Sequence, residues 1–498
     1  MSLRDRIAIL SNTYSTPIIL ATFVILWSGY EILAHGAGDV HNDMAEAYAW
    51  GQELQGGYFK HPPFWAWLTY AWFRVFPVED WSAYVFTALN SALGIAFTVR
   101  CNAYFVADKR LARLAAWLLI LVPAYTFLAM KMNANTIHLS VWPAIAWVFL
   151  AMMKRQSAPL GLLLGLLAAC AVLSKYNAAL FLTCVLAAAV VHPMARVFWR
   201  SWLPLVVVAG GLPLIALHFA WLVQNDFLPF RYFDGLRNQS EGGAVAGALK
   251  FIVAEALYAF PALLALVLIG RGAGAAFHRP APRPMFGVLL ALSVGPMLLT
   301  ALFGALLQTR TPALWGLQNL FLLPALLLQY MHNADVPKFE RRARGVVLAF
   351  LLVAFLLSPA IAWIKFRYGD PAAIDPRSQV ARELTQWWRT TYGVPLRIVA
   401  GDESYALAAT FYSPDHPSYF ISRDRRLTPW ITDERLKRDG ALFVCNEVDE
   451  QCESEAKDAS ADRGEDKKIS AVKEYLGLTG HNFDFSFFVI PPAGAAKP

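Results

Sequence analysis

Long apolar blocks recur along the chain, separated by short polar stretches, and most of the blocks run to about 18–23 residues, enough to cross roughly 30 Å of hydrocarbon as helices. Eleven such spans are predicted, at about 17–36, 81–104, 111–129, 136–153, 158–174, 178–194, 202–223, 248–270, 286–307, 313–332 and 345–366. Between the first two lies the densest polar stretch of this half of the chain, NDMAEAYAWGQELQGGYFKHPP (42–63). Taken as a helix over 43–55, it places Asp43, Glu46, Trp50 and Glu53 on one face and Met44, Tyr48 and Gly51 on another. That is the pattern of an amphipathic helix lying at a membrane surface, its acids toward water or a polar cavity. Pro62 and Pro63 cannot continue a helix, so the chain turns at His61. The aromatic run FWAWLTYAWFRVF (64–76) suits the headgroup region.

Beyond Phe366 the pattern changes. Strand-like runs at 396–402, 418–423 and 441–447 alternate with a helix-like stretch at 378–393, which predicts a small α/β domain. The charged segment 449–468 has no apolar periodicity and is expected to be a loop. The expected division is therefore a membrane domain over 1–366, with long outer connections at 37–80 and 224–247, and a soluble domain over 367–498. No internal repeat is evident, nor the inverted pair of broken segments typical of transporters.

Composition agrees with this partition. Of 498 residues, 57% are hydrophobic and only 16% charged, against about 25% charged in ordinary soluble domains. The net charge of +7 is spread through short loops, which argues against a nucleic-acid partner. Arg4/Arg6, Lys109/Arg110/Arg113, Lys154/Arg155, Arg196/Arg200, Arg271/Arg279/Arg283 and Lys338/Arg341/Arg342/Arg344 occupy alternate connections. The positive-inside rule makes that set cytoplasmic and everything after Phe366 external. The first apolar block has no small-residue cleavage site after it and reads as a membrane helix. Cys101, Cys170 and Cys184 fall in or beside apolar segments and read as packing residues. Cys445 and Cys452 lie in the external region, where a disulfide is chemically permitted.

Spacing alone leaves two readings of the 42–63 stretch: Asp43 as a helix cap with Glu46 merely solvated, or a pair of acids with chemical work. The run from Asp43 through Tyr48, Trp50 and Gly57-Tyr58 to His61-Pro62-Pro63 resembles the first outer loop of the GT-C membrane glycosyltransferases. That group includes the protein O-mannosyltransferases, the transferase that places aminoarabinose on lipid A, and rhizobial galacturonosyltransferases, whose pattern is the most similar. SKYNAAL (174–180) resembles the family's Lys-Tyr motif, and HFAWLVQNDFLPFRY (218–232) its long outer loop. Two departures stand out. Met44 occupies the place of the usual second acid, and Asn133 and Asn135 stand where many members carry the acid of a Thr-Pro-Asp motif.

The resemblance implies an all-α polytopic GT-C domain with interfacial helices in its first outer loop, followed by a small α/β periplasmic domain. It implies an inverting transfer of a sugar from a polyprenyl-phosphate donor to a hydroxyl of lipid A, lipopolysaccharide core or another envelope glycan, at the periplasmic face of a bacterial inner membrane. Asp43 then serves as base, with support from Glu46. Lys60, His61, Lys131, Lys175, Tyr176, Arg231 and Arg310 are expected to hold the donor's phosphate and sugar. The alternative for these cations is snorkelling to lipid headgroups. His138 and His218 read more readily as core histidines. No metal is expected, since no diagnostic ligand spacing is present, although some relatives use a divalent ion. The expected partners are donor, acceptor and membrane lipids around a monomer. A flippase or transporter, or a catalytically altered GT-C binding protein, remains the competing class.

Overall fold

The computed structural model describes residues 3–235, 243–279, 283–309, 311–460 and 467–494. The chain divides into two compact units. The first comprises Met1–Ser28, Phe59–Trp65 and Val85–Phe355; the second comprises Gly29–Tyr58, Ala66–Tyr84 and Leu356–Pro498.

The first unit is built of apolar helices. Five helices of the described chain are long and apolar enough to cross a membrane: Ser15–Ala34, Asp80–Phe105, Leu203–Gln224, Ala244–Gly272 and Val336–Arg367. Counting each of two bent pairs as one span makes seven. Three shorter apolar helical stretches, Ala158–Val172, Ala178–Val191 and Ala313–Leu328, add to these. The protein is a multi-pass membrane protein. Helices Ala158–Val172 and Leu203–Gln224 approach to backbone contact, because a Cβ at Gly165 would lie 1.9 Å from the Val207 carbonyl oxygen. Close packing through small residues substitutes here for a hydrophobic driving force that lipid does not provide.

Three predicted spans are not continuous α-helices, among them that over 286–307, where Phe286–Ser293 and Gly295–Leu307 meet at a 43° bend. The segment expected over 111–129 bends by 77° between Lys109–Leu121 and Pro123–Lys131. Pro123 lacks the N–H needed to extend the first piece, and the chain beyond it runs in short 3₁₀ turns. The segment expected over 313–332 is a 3₁₀ helix, Ala313–Leu322, that passes into a short α-helix at Leu323–Leu328. It ends in a two-stranded antiparallel ladder of β1 (Ala276–Phe277) and β2 (Met331–His332).

The second unit carries a five-stranded sheet of β3 (Ile398–Gly401), β4 (Ser418–Tyr419), β5 (Ala441–Asn446), β6 (Lys467–Tyr475) and β7 (Leu478–Ile490), in spatial order β4-β3-β5-β7-β6. The β3 strand is parallel to β4 and β5, while β5, β7 and β6 run antiparallel to one another in turn. Ile398, Phe443, Cys445, Ala456 and Phe488 form its core. The helix expected at 378–393 is Arg377–Tyr392, closed by Gly393 at φ +67°, the left-handed position that favours glycine.

The charged segment from 449 is not a loop where it is described, but a helix over Glu450–Ser460. Asp449 accepts the Cys452 N–H at 3.0 Å, Gln451 donates to Glu455 at 3.0 Å, and Lys457 pairs with Glu453 at 3.4 Å. Local i,i+4 pairs of this kind support a helix that lacks an apolar stripe. Cys445 and Cys452 form a disulfide that ties this helix to β5. Residues 461–466 of the expected loop lie outside the described residues.

The helix expected over 43–55 is present as Asn42–Glu53. It is not a surface helix: Met44 through Gly51 are all buried, including Glu46 and Trp50. Tyr48 meets Phe73 and Phe411 edge-on, each at 5.4 Å between ring centroids. Trp50 stacks on Tyr58 at 4.7 Å. Gly51 lies against Ala66 so closely that a Cβ would sit 2.7 Å from its carbonyl oxygen. Contacts with the rest of the second unit, invisible to local periodicity, cover both faces of the helix.

Candidate functional site

In the first unit, a cavity of about 590 Å³ is lined by Lys60, His61, Lys175, Tyr176, Phe230 and Trp315, among others. Local structure fixes each of these side chains. Phe64 donates its N–H to the Leu173 carbonyl at 2.8 Å, joining the chain after Pro62-Pro63 to the turn that precedes Lys175. The Lys60 ammonium lies 5.2 Å from the Phe59 ring centroid, and Phe59 meets Tyr232 edge-on at 5.7 Å. Tyr176 stacks on Phe230 at 5.0 Å, while its hydroxyl shares a 2.9 Å hydrogen bond with His218 Nε2.

Lys175 is held from two sides. Its Nζ donates to Asn135 Oδ1 at 2.7 Å and lies 4.7 Å from the Trp315 ring centroid. A cation over an indole face gains about 0.5–2 kcal/mol, depending on how far it is desolvated. Trp315 is placed by close packing of its neighbour, since a Cβ on Gly316 would lie 2.3 Å from the Glu255 carboxyl group. Asn135 is presented by a side-chain-closed turn. Asn133 Oδ1 accepts the N–H groups of Asn135 and Thr136 at 2.9 and 3.0 Å, and Thr136 Oγ1 accepts the Asn133 N–H at 2.8 Å. The two asparagines thus have separate jobs: Asn133 shapes the turn, and Asn135 meets the lysine.

His61 lies near both ammonium groups. Burial, then the charges of Lys175 and Lys60, hold its imidazole well below the usual histidine range. It is therefore neutral and offers one donor and one acceptor. Lysine cations, a neutral imidazole and aromatic walls can hold an anionic group on an otherwise apolar molecule. Among the described residues that line the cavity there is no Asp or Glu.

The second unit carries the acids of the 42–63 stretch. Asp43 stands in the first turn of helix Asn42–Glu53, where a negative charge is favoured by the helix dipole. It is not the cap; His41 is, its Nδ1 accepting the Asp43 N–H at 3.1 Å. The Asp43 side chain is 35% exposed, with Oδ1 3.7 Å from His41 Nδ1. Glu46 is buried rather than solvated; burial first, and then the charges of Glu403, Glu46 and Asp402, raise the pKa of Tyr419. Glu53 lies 3.8 Å from Arg435 Nη1. Burial raises its pKa above the usual range, against the opposing pull of Ser418 and Arg435.

The start of that helix is held by a polar network that local spacing does not reveal. Asn42 donates to Ser404 Oγ at 2.7 Å and accepts from Arg377, and Arg377 Nη2 donates to the Val40 carbonyl at 3.2 Å. Arg377 Nε is 3.8 Å from Asp39 and 3.9 Å from Asp375. Asp39 also accepts the Ser378 N–H at 3.1 Å and lies 3.5 Å from Lys473 Nζ. These residues were not among the sequence candidates. Apart from Asp39, they are more than 300 positions from the stretch they anchor, and one sequence carries no signal for such a pairing.

Of the cations expected to bind donor, Lys60, His61 and Lys175 line the cavity, as does Tyr176. Lys131 is half-buried and Arg231 exposed, and neither lines it. Arg310 lies outside the described residues. His138 is fully buried beside Trp142, at 5.5 Å between ring centroids. Among the described residues no group of three His, Cys, Asp or Glu side chains is arranged to hold a metal ion.

Comparison with known proteins gives four matches. The family described as dolichyl-phosphate-mannose-protein mannosyltransferase matches residues 60–221. The lipopolysaccharide core galacturonosyltransferase RgtA of Rhizobium johnstonii is 27% identical over 402 residues, 75% of this chain and 76% of that protein. RgtB of the same organism, with the same description, is 24% identical over 445 residues, 83% and 86% of the two chains. The crystal structure of ArnT from Cupriavidus metallidurans, bound to undecaprenyl phosphate, superposes with a TM-score of 0.58 at 14% identity, covering 98% of this chain and 99% of that one. This last likeness establishes the fold.

Proposed function

We propose that this chain, a GT-C membrane glycosyltransferase that draws its sugar from a polyprenyl-phosphate donor, transfers a uronic acid to a hydroxyl of lipopolysaccharide core or lipid A. The uronic acid and the core acceptor are supported by the two rhizobial relatives, both lipopolysaccharide core galacturonosyltransferases. The observation that carries the reading is the cavity of the first unit, where Lys60, His61 and Lys175 stand among aromatic walls with no carboxylate among the described lining residues. An isoprenoid phosphate sugar needs that combination: cations for the anionic head and apolar surface for the rest. We assign the chemistry to the membrane part, 1–366, and place 367–498 in the periplasm of a bacterial inner membrane.

In the reaction, Asp43 accepts the proton of the acceptor hydroxyl as its oxygen attacks the anomeric carbon. The bond from that carbon to the phosphate oxygen breaks, and the polyprenyl phosphate leaves with the electron pair. Lys60 and the other donor-side cations stabilise the growing phosphate charge. One displacement inverts the anomeric centre. Glu46 supports the helix that carries Asp43, and Lys131 and Arg231 belong to the wider donor surface.

Purified protein in lipid nanodiscs, supplied with polyprenyl-phosphate-linked galacturonic acid and lipopolysaccharide core, tests this directly. Product carrying one added uronic acid, found by mass spectrometry and absent with Asp43→Asn, supports the assignment. Equal product from the Asn variant removes Asp43 as base.

A further inference from the structure

We infer that a second cavity, lined wholly by residues of the second unit, is a carbohydrate-binding subsite that holds the saccharide chain of the acceptor beside the helix carrying Asp43. The inference rests on the proposed acceptor chemistry and adds the place where that acceptor is recognised.

The cavity has a volume of about 660 Å³, within the range of about 300–1,000 Å³ common to small-molecule sites. One wall is the helix Arg377–Tyr392, whose apolar side, with Val380, Leu384 and Trp388, is buried. Arg382, Gln386 and Arg389 follow one another at i, i+4 and i+7, a single stripe of that helix. All three are exposed and line the cavity. The turn at 413–416 supplies a second wall, and Val78 and Glu79, just ahead of helix Asp80–Phe105, complete the lining. The walls are fixed to one another. Thr385 Oγ1 donates to Ser413 Oγ at 2.9 Å, joining helix to turn. Arg389 Nε donates to the two Asp415 carboxylate oxygens at 3.1 and 3.0 Å, and Asp415 also accepts the Leu396 N–H at 2.8 Å.

The chemistry of the lining selects the ligand. The guanidinium groups of Arg382 and Arg389 only donate, the Glu79 carboxylate only accepts, and the Gln386 amide does both. A sugar hydroxyl donates and accepts at once, so this mixture suits a polyol. A phosphate only accepts and would meet repulsion from Glu79, while an apolar peptide would leave the polar groups without partners. Tyr412 and Pro414 add apolar surface for the C–H faces of sugar rings. Position ties the cavity to the reaction. Phe411 and His416 line it, and both meet Tyr48, at 5.4 and 5.5 Å between ring centroids. Tyr48 follows Asp43 on helix Asn42–Glu53, about 7.5 Å along the axis at 1.5 Å per residue. Val75 and Trp81, on either side of Val78 and Glu79, are exposed and suit the headgroup region, the level at which the sugars of a membrane-anchored acceptor emerge.

The test uses the full chain in nanodiscs, as the natural protein and as Gln386→Ala and Glu79→Ala, two exposed positions of the lining. Delipidated lipopolysaccharide core oligosaccharide is the probe, its Kd measured by titration calorimetry. The acceptor KM is measured alongside, with polyprenyl-phosphate-linked galacturonic acid as donor. Each variant is expected to raise both the Kd and the acceptor KM about tenfold, the loss of one hydrogen bond to the ligand. The kcat, the donor KM and the melting temperature are expected to hold, a split that a merely structural role would not give. No binding of the core by the natural protein, or an unchanged Kd in both variants, would overturn the inference. Tighter binding by Glu79→Ala would also overturn it, since an anion rather than a hydroxyl would then be read. Core binding without any transfer by the natural protein would keep the subsite and remove the proposed reaction. Transfer with an unaltered acceptor KM in both variants would do the reverse.

Discussion

Two cations, the half-buried Lys175 in the first unit and the buried Arg377 in the second, meet their neighbours in different ways. Arg377 is surrounded by acids, with Asp39 and Asp375 both within 4 Å of Nε, and it also donates to the Val40 carbonyl. Lys175 meets an amide and an indole in a cavity whose described lining has no acid. Arg377 is held between carboxylates, whereas Lys175 is held by an amide oxygen and an aromatic face.

The contrast is sharpest where the predicted effects are largest. Asp43→Asn keeps the shape of the helix's first turn and removes a proton acceptor. Because general base catalysis contributes about 10²–10⁴-fold, sugar transfer measured with saturating donor is expected to fall by about a thousandfold while the melting temperature is unchanged. Arg377→Met is the counterpart in the second unit. Leaving Asp39 without its guanidinium is expected to cost about 3–5 kcal/mol, seen as a large drop in the unfolding temperature of the purified protein. An Arg377→Met protein with natural stability and lost transfer would reverse the contrast and make Arg377 the functional cation.

Trp315→Leu is a milder change. It removes the aromatic face from Lys175 but keeps an apolar wall, and losing about 1 kcal/mol of cation–π attraction is expected to raise the donor KM about fivefold with little change in kcat. An unchanged KM would detach Trp315 from donor binding.

The smallest effect concerns Glu53, whose pKa burial raises above the usual carboxylate range. A raised value means that the folded state favours the protonated acid. Its contribution to stability is present below the unfolded value of 4.5 and lost as pH rises through the folded value. Glu53→Gln, neutral at every pH, is therefore expected to melt slightly above the natural protein at pH 7 and level with it near pH 4. A lower melting point at pH 7 would mean that the Arg435 pair outweighs burial.

Much of this was legible in the order of residues, and the reasons are local. Apolar block length foretold the helices, and the proline pair at 62–63 foretold the turn that delivers Lys60 and His61 to the cavity. The helix at Asn42–Glu53 was expected within two residues at each end. Its burial was not, because Tyr48 owes its surroundings to Phe73 and to Phe411, a partner more than 360 positions away. The same distance in sequence hid the Asp39–Arg377–Lys473 network. Strand β6 is a polar run that becomes a strand by pairing with β7, whereas β7 was legible and missed, since Phe483, Phe485 and Phe487 alternate with Asp484 and Ser486 as in a half-buried strand. The asparagines at 133 and 135 stood out as departures from a family pattern, but their separate roles depend on hydrogen bonds that spacing cannot supply.

The most direct measurement is a donor competition in nanodiscs, with natural protein, lipopolysaccharide core and equal amounts of polyprenyl-phosphate-linked galacturonic acid and galactose, the products resolved by mass. A cavity with two lysine charges and no acid among its described lining residues predicts that the uronosyl product predominates and that free polyprenyl phosphate accumulates in equal amount. A predominance of galactosyl product, or no released polyprenyl phosphate, would contradict it.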